Sequence, residues 1–136
     1  RDGSRTTMKT GSPGGNPPAN ARGLMMQDLM ADIEAFVAKR QWERFHAPKN
    51  LAMALSVEVA EIVEIFQWMD AERSRDPDRN TREHLRDEIG DVLIYLVMLA
   101  GKLGIDPLAA AQAKMEKNRA QYPPSVAAGK APHARR

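Results

Sequence analysis

The sequence contains no cysteine among its 136 residues. This absence excludes disulfide bonds, thiolate metal sites and cysteine nucleophiles together, and it suits the reducing cytoplasm. Long apolar runs are also missing, since none approaches the ~20 residues that a membrane-spanning helix needs. The first residues of the sequence do not show the pattern of a signal peptide. We therefore expect a soluble, cytoplasmic protein that has no membrane partner.

A large excess of charge of one sign is missing as well, because the net charge is only +2. Seven of the 20 Lys and Arg residues, but only one of the 18 Asp and Glu residues, lie in residues 1–23 and 123–136. Residues 24–122 therefore carry a net charge of −4. An acidic body with basic ends matches a phosphate backbone poorly, so we expect no nucleic-acid partner and a body suited to binding cations.

Large apolar side chains are scarce at both ends of the chain. Residues 1–23 hold five of the nine glycines and three of the nine prolines, and residues 123–136 have a similar texture. Such segments bury too little surface to offset the entropy of ordering them. We expect residues 1–23 and 123–136 to be flexible tails that flank one globular domain, residues 24–122.

Within that domain, apolar residues recur at helical spacing in four segments, and no segment shows the alternation of a strand. Asn80 with Glu83 resembles a capping pair, Gly104 a helix stop, and Asp106-Pro107 a helix start. The charged segment between the second and third helices predicts a solvated loop. The predicted helices cover residues 24–40, 50–69, 80–103 and 107–121, and the predicted loop covers residues 70–80. Four amphipathic helices with short or moderate connections predict an all-α antiparallel four-helix bundle.

Two of these helices carry acids where a core is expected. At about 100° per residue, Glu58 and Glu61 fall on the apolar face of the second helix, and Glu88 and Asp91 repeat this arrangement on the third. Clustered buried carboxylates are costly unless they are paired with bases, protonated or bound to a cation. No basic residue lies among these inward positions. A divalent cation is the cheapest compensation, and an all-oxygen ligand set favours Mg²⁺ or Mn²⁺.

The neighbouring polar residues have less specific roles. Glu64 lies at the edge of the apolar face and is a further candidate to activate a water molecule. Glu83 and Asp87 are interpreted as solvated charges, and His84 as a hydrogen-bonding residue at the rim. Neither acid pair continues into a Glu-x-x-His motif, which disfavours a di-iron site. Carboxylate-bound Mg²⁺ with open positions is the usual partner of nucleotide phosphates.

Aromatic residues make up only 5% of the chain, so their positions carry information. Trp42 and Trp68 offer stacking surfaces for a base, although tryptophans also close the ends of helix bundles. Lys114, Asn118 and Tyr122 recur at four-residue spacing along the fourth helix. This polar stripe can contact phosphate or sugar hydroxyls, or it can be a solvated helix face.

Four segments in this order resemble the MazG-like all-α nucleotide pyrophosphohydrolases, in particular their deoxycytidine triphosphate pyrophosphatase branch. The segments are WERFHAPKNL (42–51), EVAEIVEIFQW (58–68), DEIGDVLIYL (87–96) and KMEKNRAQYP (114–123). The resemblance covers about residues 25–123. It implies hydrolysis of a nucleoside triphosphate to the monophosphate and pyrophosphate, with dCTP or a related or modified deoxynucleotide as the expected substrate.

The resemblance also assigns roles to single positions. Glu58, Glu61, Glu88 and Asp91 match the metal-binding acids of the family. Base and sugar recognition is expected from the positions that match Trp42, His46, Trp68, Tyr95 and Asn118, and phosphate contacts from Lys114 and Tyr122. The family implies a homo-oligomer, a dimer or a tetramer built as a dimer of dimers, in which a neighbouring chain completes each site. Many relatives have a Glu doublet in the first acidic motif, whereas Val57 precedes Glu58 here, so the number of metal ions is open.

Two other functions fit the same sequence. A non-catalytic helical oligomerisation protein could use the acids for structural cations or partner residues. A relative with another substrate, such as a dUTPase-like or phosphoribosyl-ATP-cleaving enzyme, would share the acidic motifs. Pyrophosphate release separates the first alternative from the prediction, and a substrate panel separates the second.

Overall fold

The computed structural model describes residues 19–130, with side chains described from Met26 onwards. All regular elements in this range are helical, so the predicted all-α class is confirmed. The helices are α1 (Ala19–Lys39), α2 (Pro48–Phe66), α3 (Ala71–Arg75), α4 (Arg79–Lys102), α5 (Pro107–Gln121) and α6 (Pro124–Ala127), with a 3₁₀ turn at Glu43–Phe45. Most of the two predicted tails, residues 1–18 and 131–136, lies outside the described range.

The start of α5 and the end of α4 follow the predicted signals. The side chain of Asp106 accepts hydrogen bonds from the backbone N–H groups of Leu108 and Ala109, and Pro107 occupies the first turn. Gly104 has φ +64°, the left-handed conformation that glycine adopts at little cost. The chain therefore turns sharply between these two helices.

The start of α4 differs from the prediction. Asp78, not Asn80, is the N-cap, and its side chain accepts a hydrogen bond of 2.8 Å from the backbone N–H of Thr81. That bond lowers the pKa of Asp78. Asp and Asn cap helices about equally well. Residue type alone therefore does not decide whether α4 begins after Asp78 or after Asn80.

The predicted solvated loop at residues 70–80 contains the short helix α3. Asp70 caps it by accepting a hydrogen bond of 2.8 Å from the backbone N–H of Arg73. Five residues give too little periodicity for a pattern to detect, and the cap rather than an apolar stripe defines this helix.

The core lies where α2 packs along α4, and α1 packs against α4 less extensively. Five apolar side chains are buried in the described part of the chain: Val37, Leu51, Leu85, Val97 and Ala100. Leu51, near the start of α2, is the most enclosed of them, with 1% of its surface exposed. The predicted inward stripes of α2 and α4 therefore do form the core, although it is a small one.

The fourth predicted helix of the bundle, α5, leaves α4 at an angle of 93°. The antiparallel bundle of four helices is therefore not complete within the described part of one chain. None of the described helices is by itself long and apolar enough to cross a membrane. Among these helices, only α4 and α5 together, counted across the 93° bend, have the required length and apolar content.

Candidate metal centre between α2 and α4

The packing of α2 along α4 brings together the acids that each helix carries. Carboxylate oxygens of Glu58, from α2, and of Glu88 and Asp91, from α4, all lie within 4.8 Å of one another. The spacing of three residues puts Glu88 and Asp91 on one face of α4, which is the face turned to α2. The predicted convergence of acids from the two helices is therefore present for these three residues.

Glu61 lies beside this group, on the wall of a cleft of about 400 Å³. The cleft is lined by Glu61, Glu64, Ile65, His84 and Glu88. Glu64, expected at the edge of the apolar face, is exposed and shares the cleft with Glu61, one turn before it. Below, the acidic cluster denotes Glu58, Glu61, Glu88 and Asp91.

The members of the acidic cluster differ in burial. Glu88 is buried, with 8% of its surface exposed, whereas Glu58 and Glu61 are half-buried. Asp91 is exposed. All four acids are predicted to lie inside apolar stripes, and this is wrong for Asp91 in the single chain, because the edge of the α4 stripe is left uncovered there.

Burial and like charge act together on Glu58. Desolvation, followed by the negative charge of Glu61 and a hydrogen bond with that carboxyl, raises the pKa of Glu58 to about 7; the charges of Asp91 and Glu88 add to the effect. As the pH rises towards neutral, this carboxyl stays protonated at pH values where an ordinary glutamate is already ionised. The site therefore disfavours the accumulation of negative charge when nothing positive balances it.

Glu88 responds in the same direction. A proton shared with the carboxyl of Glu61 raises the pKa of Glu88, burial adds to this, and His84 opposes it. The imidazole Nε2 of His84 lies 3.2 Å from Oε1 of Glu88. The second oxygen, Oε2, is buried and has no hydrogen-bond partner.

These features fit a divalent cation. Among the described side chains, no Lys or Arg forms an ion pair with any member of the acidic cluster. A buried oxygen without a partner is costly, and a bound cation would satisfy it. Carboxylate oxygens from Glu58, Glu88 and Asp91 are hard ligands of the kind that hard divalent cations prefer.

The charges interpreted as solvated do lie at the surface. Glu83 accepts a hydrogen bond of 3.2 Å from Arg79, one turn earlier on α4, and both side chains are largely exposed. Asp87 is exposed although it is adjacent to the buried Glu88. The helical period therefore separates acids of the cluster from acids of the outer face.

The predicted base-recognition residues lie in several places. His46 is half-buried in a second cleft of about 370 Å³ between α1 and α4, and its Nδ1 atom is buried without a hydrogen-bond partner. Trp42 is 44% exposed, beside the 3₁₀ turn. Tyr95 is half-buried on α4, one turn beyond Asp91, and Trp68, past the end of α2, is 86% exposed.

The polar stripe of α5 does not reach the acidic cleft in one chain. Lys114 is exposed, and Asn118 and Tyr122 are half-buried. None of the three lines either cleft, because α5 diverges from α4 at 93°. Within one chain, these three residues therefore cannot contact a nucleotide that is bound in the acidic cleft.

Arg40 is not among the residues predicted from the sequence. Its guanidinium lies 3.5 Å from the ring centroid of Phe36 and 5.9 Å from that of Trp42, and it donates a hydrogen bond of 3.0 Å to the Phe36 carbonyl. Phe36 and Trp42 meet edge to face at 5.9 Å. Between them, Gln41 turns the chain with φ +54°. The spacing of four residues between Phe36 and Arg40 was the available signal.

Comparison with known proteins places these features in a family. A model of the MazG-like family matches residues 53–130. Proteins named dCTP pyrophosphatase 1 from Bos taurus and Rattus norvegicus are 40% and 42% identical to this chain over 108 residues, which is 78% of the chain and 64% of each relative. The chain thus spans a little under two thirds of the length of these relatives.

A solved structure has a similar fold. A pyrophosphatase from Archaeoglobus fulgidus superposes with a TM-score of 0.70 at 40% sequence identity, covering 73% of this chain and 93% of the other. The match of the family model extends over more than half of the 136 residues. The predicted resemblance is therefore confirmed, and the chain belongs to the MazG-like family.

Proposed function

We propose that this protein is a Mg²⁺-dependent nucleoside triphosphate pyrophosphohydrolase that converts a (deoxy)nucleoside triphosphate and water into the monophosphate and pyrophosphate. The convergence of Glu58, Glu88 and Asp91, one of which has a buried carboxylate oxygen without a partner, is the observation that carries the proposal. Relatives named dCTP pyrophosphatase 1 support dCTP, or a related or modified deoxynucleotide, as the substrate. The enzyme would then remove this nucleotide from the cellular pool.

The acidic cluster would hold the ion. Glu58, Glu88 and Asp91 lie close enough to share one cation, and Glu61 adds a further carboxylate from the same cleft wall. When bound, Mg²⁺ supplies positive charge that offsets the phosphate charge developing in phosphoryl transfer, and Mn²⁺ can substitute. Val57 stands before Glu58, so the first acidic motif offers one carboxylate fewer than a Glu doublet would.

A carboxylate of the cleft would activate the water. The reaction forms a bond between the water oxygen and phosphorus, breaks the bond between the α- and β-phosphates, and passes the water proton to a base. Glu64 suits this role because it lines the cleft one turn from Glu61 but lies outside the three-residue group that faces the cation. A member of the acidic cluster is the other candidate.

The nucleoside would be recognised outside the acidic cleft. Trp42 and Trp68 present exposed indole surfaces on which a base can stack. His46 lines the cleft between α1 and α4, where its imidazole could contact a base or sugar. Tyr95 lies one turn beyond Asp91 on the same face of α4 and is half-buried.

A second copy of the chain would complete the site and the bundle. Apolar side chains remain exposed on the helices of the core, including Val57, Val59, Val63, Ile89, Leu93 and Leu96. Val59 and Val63 of α2, and Ile89, Leu93 and Leu96 of α4, follow helical spacing and so form exposed stripes, and extended exposed apolar surface is unusual on a monomer. An antiparallel four-helix bundle formed with a neighbouring copy would cover it and bring Lys114, Asn118 and Tyr122 of α5 to a phosphate or sugar. This supports a dimer, or a tetramer made of two dimers.

The decisive test is pyrophosphate release from all standard and several modified nucleotides, with Mg²⁺ and with EDTA. The proposal expects Mg²⁺-dependent release, highest with a deoxycytidine nucleotide. Asp87→Asn is the matched control for Asp91→Asn, because both remove an exposed carboxylate from α4 but only Asp91 belongs to the group with Glu58 and Glu88. The control should keep full activity. No release from any nucleotide would contradict the proposal and favour a non-catalytic oligomerisation protein, whereas release from dUTP or phosphoribosyl-ATP alone would reassign the substrate.

A further inference from the structure

His84 contacts the most buried acid of the cluster. It lies one turn before Glu88 on α4, and its Nε2 is 3.2 Å from Oε1 of Glu88. The two side chains have opposite environments, since 62% of the His84 side chain is exposed but only 11% of the Glu88 side chain. His84 also forms part of the wall of the acidic cleft. The imidazole is therefore exposed to solvent and also contacts the buried carboxylate of Glu88.

This contact distinguishes the two oxygens of the Glu88 carboxylate. Oε1 lies 3.2 Å from the imidazole Nε2, while Oε2 is buried and has no hydrogen-bond partner. The terminal torsion of a glutamate is broad and nearly two-fold, so burial of the side chain alone does not fix where each oxygen points. A hydrogen bond to one oxygen does fix it.

We propose that His84 is a positioning residue, whose imidazole N–H holds Oε1 of Glu88 so that Oε2 faces the divalent cation. The inference rests on the proposed function, because it assumes that the acidic cluster binds metal. His84 is not itself a ligand in this arrangement, since its Nε2 is engaged by Glu88. Partners that orient a ligand from outside the coordination sphere typically change metal affinity by about 10- to 100-fold when they are removed.

The test measures Mn²⁺ binding to the full chain by isothermal titration calorimetry, without nucleotide. His84→Ala should weaken Mn²⁺ binding by about 10-fold or more. His84→Gln keeps an N–H donor on a long side chain at the same position and should recover most of the affinity. Arg86→Ala is the control, because Arg86 is an exposed cationic residue of α4 that forms no ion pair with the described acids. It should bind Mn²⁺ like the unsubstituted protein.

A merely structural role predicts a different pattern. The thermal midpoint without metal would then fall together with affinity, whereas positioning leaves it within a few degrees in all three variants. Unchanged Mn²⁺ affinity in His84→Ala would overturn the inference and leave the metal site intact. Equal loss in folded His84→Ala and His84→Gln would also overturn it, because a donor at this position would then not be what matters. Failure of the unsubstituted protein to bind Mn²⁺ would overturn the metal site itself and the role of His84 with it.

Discussion

Glu58 of α2 and Glu88 of α4 bring carboxylate oxygens within 4.8 Å of each other across the main helix interface. Two ionised carboxylates at this distance repel, and the repulsion is stronger where water is partly excluded. Burial is the main cause that raises the pKa of Glu58, and a hydrogen bond with Glu61 is the main cause that raises the pKa of Glu88; the charge of neighbouring acids adds to both shifts. The acidic cluster therefore lowers the free energy of unfolding of the metal-free protein.

Removing one acid should separate activity from stability. Glu61→Ala or Asp91→Ala should reduce pyrophosphate release by about 100-fold or more, as loss of a group that stabilises the transition state does. The same variants should be as stable as the unsubstituted protein, or more stable, in EDTA, because like-charge repulsion is relieved. Steady-state kinetics and urea denaturation measure the two effects. Full activity in either variant would contradict its assignment to the metal site.

The metal-free protein should lose stability as the pH rises. The pKa of Glu58 is about 7 in the folded protein and 4.5 for an ordinary glutamate. Between these values the folded state binds more protons than the unfolded state, so the free energy of unfolding falls with increasing pH and levels off above about pH 7. Glu88 contributes in the same direction. Urea denaturation in EDTA from pH 4.5 to 8.5 measures the trend.

Glu58→Gln isolates the contribution of that residue. The amide stays neutral, so the variant should match the unsubstituted protein near pH 4.5 and become the more stable of the two as the pH approaches 8. Saturating Mg²⁺ should reverse this order, because binding to the folded state adds about 2.7 kcal/mol at 100 times the dissociation constant. A constant difference between the two proteins at every pH would contradict the titration of Glu58.

The acids could be placed from the sequence because helical periodicity sets which side of α2 and α4 they occupy. Glu58 and Glu88 on one side and Glu83 on the other follow from spacing alone. The exposure of Asp91 did not follow, since it depends on how much of α4 a neighbour covers. The 93° turn into α5 did not follow either, because Gly104 signals a stop but not the direction of the next helix.

The small core should depend strongly on Leu51, which is 1% exposed. Leu51→Ala should lower the free energy of unfolding by about 2–5 kcal/mol, through lost apolar burial and the cavity left behind. Met53→Ala, two residues later on α2, removes a side chain that is 59% exposed. This control should cost less than about 1 kcal/mol. Equal losses in chemical denaturation would contradict the described packing of α2 against α4.

Trp42 should affect substrate affinity more than turnover. Replacing it with Ala should raise KM for the nucleotide by about 5- to 150-fold, in line with ~1–3 kcal/mol for one base stacked on an aromatic ring. Trp42→Phe should recover part of this, and kcat should change little in both variants. Phe45→Ala is the control, since Phe45 is an exposed aromatic of the same connection. An unchanged KM in Trp42→Ala would remove Trp42 from the base site.

The central claim is that carboxylates of α2 and α4 share a divalent cation, and anomalous diffraction tests it most directly. Crystals grown with Mn²⁺ and measured at the manganese absorption edge locate the ion without reference to activity. We predict an anomalous peak between α2 and α4, within coordination distance of Glu58, Glu88 and Asp91. Density that shows these three side chains ordered and no peak among them would contradict the account.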